Sequence, residues 1–174
     1  AYAEDFVLPT GDLREPKSGA RRANIIIVTK CPSDLGDSEK SRIVNKISPE
    51  EHQSVFFSSI VYSNEVISNN SSQSLNDLKR FTLVTGIANA NPLVNFLKDK
   101  SLEFKHLNFK DHHEFSQQDI LELGKQELIV TTEKDFMRLK QHETLKNKLY
   151  YLPIRVAIDN EVKINTLIKN FVKN

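Results

Sequence analysis

Short β-branched runs alternate with helical stretches along most of this chain, and no other feature narrows the available folds as much. Asn24-Ile25-Ile26-Ile27-Val28-Thr29 opens the series as a strand of the kind buried on both faces. Cys31-Pro32-Ser33 breaks it, and 37–47 follows with Ile43, Val44 and Ile47 at helical spacing. Residues 54–62 read as a second strand. Phe81-Thr82-Leu83-Val84-Thr85 is another, ending at Gly86, after which Asn91-Pro92 starts a helix with Asn as cap and Pro at the first helical position. Leu93, Val94, Phe96 and Leu97 supply its apolar face. Residues 104–109 alternate as a strand does. Ser116 starts the next helix, with Asp119 three residues on, near a capping box, and Phe115 placed to staple against Ile120. Leu128-Ile129-Val130-Thr131 is a strand, and Thr132-Glu133-Lys134-Asp135 opens a helix with acids in its first turn. Residues 150–154 are strand-like, with Pro153 marking an edge or a crossing segment. Ile164, Leu167, Ile168 and Phe171 form the stripe of a last helix. This rhythm predicts parallel βαβ units in a layered α/β/α fold with a mostly parallel sheet. In such folds chemistry collects in loops beyond the carboxyl ends of strands.

Composition removes several classes of function. With 24 basic and 23 acidic residues the net charge is +1, and nothing calls for a nucleic-acid partner, which needs basic residues massed on one face. A single cysteine, Cys31, allows no internal disulfide and fits a reducing compartment. The longest apolar run, 25–28, falls far short of the roughly 20 residues of a membrane span. The length of 174 residues fits one large domain or two small ones, and the polar, aperiodic stretch 68–74 is the best loop or boundary between them. Ala1-Tyr2-Ala3-Glu4-Asp5 carries no initiator Met, basic segment or apolar signal core, and reads as a start within something longer.

Four polar clusters lie beside strand–helix junctions. In 8–16, Arg14 can hold a phosphate in a fork and Glu15 can ligate Mg²⁺, or the stretch is a surface turn with an exposed ion pair. In 85–92, Gly86 permits close backbone approach and the amides at the helix start can cradle an anion, or this is an ordinary βα loop. In 109–115, adjacent His112 and His113 follow Asp111. An imidazole can take a proton from a hydroxyl near neutral pH, though two solvated loop histidines read equally well. In 131–135, Lys134 between two acids reads as a solvated helix start unless the histidines lie on the same edge.

Taken in order, LPTGDLREP, RANIIIVTKCP, TGIANANP, FKDHHEF and VTTEKD resemble the second half of the tetraacyldisaccharide 4'-kinase family, from about Leu8 to Pro153. VTKCP and the helix after it resemble the form found in Bacteroidetes. Thr10 and Asp12 depart from the family's usual wording of the first turn. The resemblance implies transfer of the γ-phosphate of ATP, with Mg²⁺, to the 4'-hydroxyl of the tetraacyldisaccharide 1-phosphate precursor of lipid A. It places that reaction at the cytoplasmic face of the inner membrane in Gram-negative bacteria.

It further implies a P-loop NTPase-type fold, of which this is the C-terminal portion. Residues 1–62 are then the last part of a nucleotide-binding core with a linker strand, and 63–79 a polar linker. Residues 80–149 become a small α/β domain carrying the His112 loop, and 150–174 a returning strand and C-terminal helix. The family's phosphate loop and membrane-associating helix precede its LREP motif. No Gly-x-x-x-x-Gly-Lys-Ser/Thr occurs in these residues, so the chain alone is expected to be inactive. Its partners are then a lipid disaccharide substrate and, through the absent N-terminal half, the inner-membrane surface.

Residue by residue, His112 matches the family's catalytic histidine, which works with an aspartate of the other half. Arg14 and Glu15 match the pair beside phosphate and Mg²⁺, with Glu15 as the metal ligand. Asp111, Glu133, Lys134 and Asp135 stand as active-site support, and His113 receives no role. Two other readings stay open. Asp111-His112-His113 is also the signature triplet of a class of Mn²⁺-dependent phosphoesterases, although His52, His106 and His142 lack the Asp-x-Asp partner those enzymes need. Or the chain is a non-catalytic α/β module that binds a partner or sugar lipid.

Overall fold

The structure, a computed structural model, describes residues 16–173, with nothing on the side chain of Lys17. It divides into two compact units. One is Tyr62–Arg155; the other takes in the described residues up to Val61 and those from Val156 onward.

The Tyr62–Arg155 unit is built on a six-stranded sheet. Its strands are β3 (Glu65–Ile67), β4 (Ser72–Ser74), β5 (Arg80–Thr85), β6 (Glu103–Asn108), β7 (Ile129–Thr131) and β8 (Leu149–Tyr151), in the spatial order β4-β3-β8-β7-β5-β6. β8, β7, β5 and β6 run parallel, and the β3–β4 hairpin joins β8 antiparallel. The crossover helices are α2 (Asn91–Asp99), α3 (Gln117–Gly124) and α4 (Glu133–Leu139).

Period-two alternation sorts the core onto two faces. Phe81 and Leu83 of β5 pack with Leu93 and Leu97 of α2. Val84, from the opposite face of the same strand, packs with Leu123 of α3 and with Phe136 and Leu139 of α4. This split follows from crossover handedness. The chain leaves β5 toward β6 on one side, then returns past β5 to β7 and β8 on the other. Crossovers of constant hand therefore put α2 on one face and α3 and α4 on the other. The result is the expected α/β/α layering with mostly parallel strands.

Three expectations change in detail. Residues 63–79, read as a linker, form the β3–β4 hairpin and a short 3₁₀ turn at Leu75–Asp77, with Ser68 and Ser71 bonding across the hairpin turn. The serines and asparagines that looked like a boundary are there because a tight turn needs side chains that bond their own backbone. Residues 150–154 are not one strand. β8 ends at Tyr151 and β9 (Ile154–Ile158) belongs to the other sheet, while Pro153, which has no N–H to give a ladder, accepts from Ser63 N–H at 2.9 Å. Asn91 does not cap α2. Ala90 stands at that place, and the Asn91 N–H donates to the Asn89 side chain at 3.1 Å.

The other unit has a three-stranded sheet ordered β1 (Ile25–Cys31), β2 (Ser54–Tyr62), β9, with helices α1 (Asp37–Ile47) and α5 (Glu161–Lys173). β1 and β2 are parallel, from Ile25 opposite Ser54 to Val28 opposite Phe57. Among its described residues Phe56, Phe57 and Ile164 are the buried apolar ones. Among the described residues β1 lies at the edge of this sheet and is only half-buried, with Ile27 41% exposed, rather than covered on both faces. Asp159 ties the unit together, accepting from the Phe57 N–H at 2.7 Å and from Lys40 Nζ at 3.0 Å.

Candidate active site

The turn in strand order falls between neighbours β5 and β7. The connection after β5 departs toward β6, and the one after β7 toward β8. At such a point the loops leaving the two carboxyl ends diverge and open a crevice, where α/β sheets hold ligands. Three of the four polar clusters sit at that end of the sheet.

The floor of the crevice is fixed by Asp135, fully buried in the first turn of α4. Its Oδ2 accepts the Gly86 N–H at 2.8 Å and the Thr132 hydroxyl at 2.8 Å. Its own N–H donates back to Thr132 Oγ1 at 3.2 Å, so Thr132 caps the helix. Oδ1 is buried with no hydrogen-bond partner among the described residues. A Cβ added at Gly86 would lie 3.1 Å from that oxygen and 3.6 Å from the Lys110 carbonyl oxygen. The loops after β5, β6 and β7 thus meet at Gly86. The close approach expected of this glycine is real, but its amide serves Asp135 instead of an outside anion.

The loop after β6 separates the two histidines. The His113 ring stacks on Phe109 at 4.7 Å between centroids and meets Phe115 edge-on at 5.3 Å. Its Nε2 lies 3.0 Å from Asp119 Oδ2, and its carbonyl accepts from Arg138 at 3.0 Å. Asp119 also closes the capping box of α3 with Ser116. The Ser116 hydroxyl first, and then the His113 ring, hold the Asp119 carboxyl below its usual range. His113 is therefore a structural member of the loop.

His112 stands differently. It adopts a left-handed backbone, φ 58°, and its side chain is 72% exposed. Asp111 Oδ1 accepts both the His112 N–H at 3.0 Å and Lys134 Nζ at 3.2 Å, while Asp111 Oδ2 lies 3.7 Å from His112 Nε2. The Lys134 ammonium holds the Asp111 carboxyl below its usual range, so it is ionised at neutral pH. An exposed imidazole beside an ionised carboxylate can accept a proton from a hydroxyl brought to the crevice.

The structure thus brings Asp111, His112 and Lys134 together, with Asp135 beneath them and Glu133 exposed at the start of α4. Arg14 and Glu15 lie outside the described residues. The bond from Arg138 to His113 had no signal in the sequence, since it joins residues 25 apart that only the crossover makes neighbours. The second duty of Asp119 spans six residues and depends on how the loop before α3 folds back on the helix start. The phosphoesterase alternative loses its metal set. His113 is engaged by Asp119, and among the described residues no group of three His, Cys, Asp or Glu side chains could hold a metal ion.

Comparison with known proteins gives a consistent answer. A family model, tetraacyldisaccharide-1-P 4'-kinase (LpxK), matches residues 1–173. The tetraacyldisaccharide 4'-kinase of Flavobacterium johnsoniae is 39% identical over 178 residues, covering 99% of this chain and 52% of its own length. That of Bacteroides thetaiotaomicron is 36% identical, again covering 99% of this chain and 52% of its own. The chain spans about half the length of the curated relatives it matches. Among solved structures, LpxK from Aquifex aeolicus in complex with ATP has the same fold over 96% of this chain and 48% of its own, with a TM-score of 0.64 at 21% identity.

Proposed function

Since this chain belongs to the tetraacyldisaccharide-1-P 4'-kinase family, we propose that it is the C-terminal part of a kinase that moves the γ-phosphate of ATP to the 4'-hydroxyl of a tetraacyldisaccharide 1-phosphate. Its described residues supply the base that receives the hydroxyl proton. The observation that carries this is the division between adjacent histidines: His113 is locked into the loop by Asp119, while the His112 side chain stands exposed beside Asp111.

The Tyr62–Arg155 unit is, on this reading, the small domain that presents the base, and the other unit is the end of the nucleotide-binding core. In phosphoryl transfer the protein mainly positions groups and neutralises charge, so a base needs an accessible nitrogen and a fixed place more than an unusual environment. His112 has the accessible nitrogen. ATP supplies the phosphoryl group and Mg²⁺ neutralises its charge. No described cluster of ligands could hold that ion, and Glu15, which the resemblance assigns to it, lies outside the described residues. The chemistry proposed for the described part is therefore proton transfer alone.

The acceptor is a lipid, which suits an enzyme acting at a membrane surface, and the resemblance places it at the cytoplasmic face of the inner membrane. Among the described residues no helix is long and apolar enough to cross a membrane, and membrane attachment is assigned to the part of the relatives that this chain does not span.

The test is kinetic. In the full-length protein His112→Ala should lower kcat by roughly 10²–10⁴-fold, the range for a positioned general base, and leave KM for ATP nearly unchanged. An unaffected kcat removes the base from this loop. The 174 residues alone should transfer no phosphate from ATP.

A further inference from the structure

A solvent-facing imidazole is poorly anchored by its own bonds, since its side-chain torsions give it several rotamers of similar energy. The described contacts that restrain His112 both pass through Asp111: the backbone N–H bond at 3.0 Å and the approach of Oδ2 to Nε2 at 3.7 Å. Asp111 is itself a loop residue. What reaches it from a fixed element is Lys134, in the first turn of α4, and that turn is pinned to the sheet by the buried carboxylate of its neighbour Asp135. Support therefore runs from the β5–β7 crevice floor through α4 and Lys134 to Asp111, and from there to the His112 ring.

We propose that Asp111 is a positioning residue for His112 in phosphoryl transfer, alongside the aspartate that the resemblance places in the other half, and that Lys134 holds Asp111 in place; this rests on His112 being the base. As the acceptor hydroxyl attacks, its O–H bond breaks and an imidazole N–H forms. The oxygen bonds the γ-phosphorus, and the ADP oxygen leaves with the electron pair of the broken P–O bond. The imidazolium so created stands beside a carboxylate that Lys134 keeps ionised, which favours it over imidazolium in water alone. Because the pair is exposed and screened, the gain is moderate.

The kinetic arm uses the full-length enzyme. Asp111→Ala should lower kcat roughly tenfold with KM for ATP unchanged. Asp111→Asn should recover part of that loss, because its carbonyl oxygen can still accept the His112 N–H. Lys134→Met should fall between wild type and Asp111→Ala. In a His112→Ala background Asp111→Ala should cost nothing further, since residues that act through one another are not additive. A second tenfold loss there overturns the proposal.

The second arm needs no turnover: three-bond couplings across χ1 of His112, measured by NMR in the same protein. Wild type should show one rotamer and Asp111→Ala an average over several; identical couplings overturn the proposal even if the kinetics agree. Should His112→Ala leave kcat intact, the base assignment fails and the couplings alone decide whether Asp111 orients this ring.

Discussion

Asp119 Oδ2 lies 3.0 Å from His113 Nε2, and the same oxygen accepts the N–H and hydroxyl of Ser116, each at 2.8 Å. One carboxylate oxygen fixes a helix start and an imidazole together, and this is what makes the second of two adjacent histidines unavailable for chemistry.

The histidines should therefore differ in stability as well as in catalysis. His113→Ala removes a stacked ring and a partner of Asp119, and should cost about 1–3 kcal/mol. His112→Ala, at an exposed site, should stay within about 0.5 kcal/mol. Urea unfolding of both variants measures the difference, and equal costs would contradict the geometry.

Glycines test the crevice floor. Gly86→Ala places a Cβ 3.1 Å from the buried Asp135 Oδ1, and should destabilise by about 1–3 kcal/mol through overpacking. Gly124→Ala, at the end of α3 with nothing within 4 Å, should be neutral or gain up to about 1 kcal/mol from helix propensity. Thermal melts of the pair should move in opposite directions or at least stand clearly apart.

Asp135 should tolerate Asn far better than Ala. Asp135→Ala leaves the Gly86 N–H and the Thr132 hydroxyl without the oxygen they share, and should cost about 2–4 kcal/mol. Asp135→Asn keeps an acceptor for the Gly86 N–H and the Thr132 hydroxyl and changes only the oxygen that has no partner among the described residues; its cost should stay below about 1 kcal/mol. Denaturant midpoints of the two variants give the comparison.

Acid should weaken the Tyr62–Arg155 unit in a defined way. Asp119 and Asp111 both titrate below the ordinary value of 3.8, Asp119 through Ser116 and His113, Asp111 chiefly through Lys134. A carboxyl with a depressed folded pKa binds fewer protons folded than unfolded near that pH. Its contribution is complete above 3.8 and is lost as pH falls through the lower folded value. Stability measured from pH 6 to pH 2 should decline below about 4, and Asp119→Asn should flatten part of that slope. An unchanged slope would show that the carboxylate is not held by these bonds.

Much of the scaffold was legible in the sequence because local chemistry specified it. The span of α1, the Ser116–Asp119 capping box and the acidic start of α4 each depend on residues within one helical turn. The site was legible only in part. Asp111 and His112 are neighbours in sequence, but Lys134 reaches them across 23 positions and Asp135 reaches Gly86 across 49. No local pattern records such contacts. The 68–74 stretch misled for a related reason: serines and asparagines that close a hairpin have the composition of a linker. Pro153 announced a break correctly, and only strand pairing could show that the strands on its two sides join different sheets.

The pairing of β5 with β7, Thr82 opposite Ile129 and Val84 opposite Thr131, sets the order in which this crevice can come into being. β5, α2 and β6 lie close together in sequence and can associate early. β7 must insert beside β5 after the whole β6–α3 segment has been laid down, and contacts of such separation carry the largest loop-closure cost and form late. During synthesis the histidines leave the ribosome well ahead of Lys134 and Asp135. A nascent chain halted at Thr131 already contains both imidazoles, yet neither the lysine that steadies Asp111 nor the carboxylate that joins the loops.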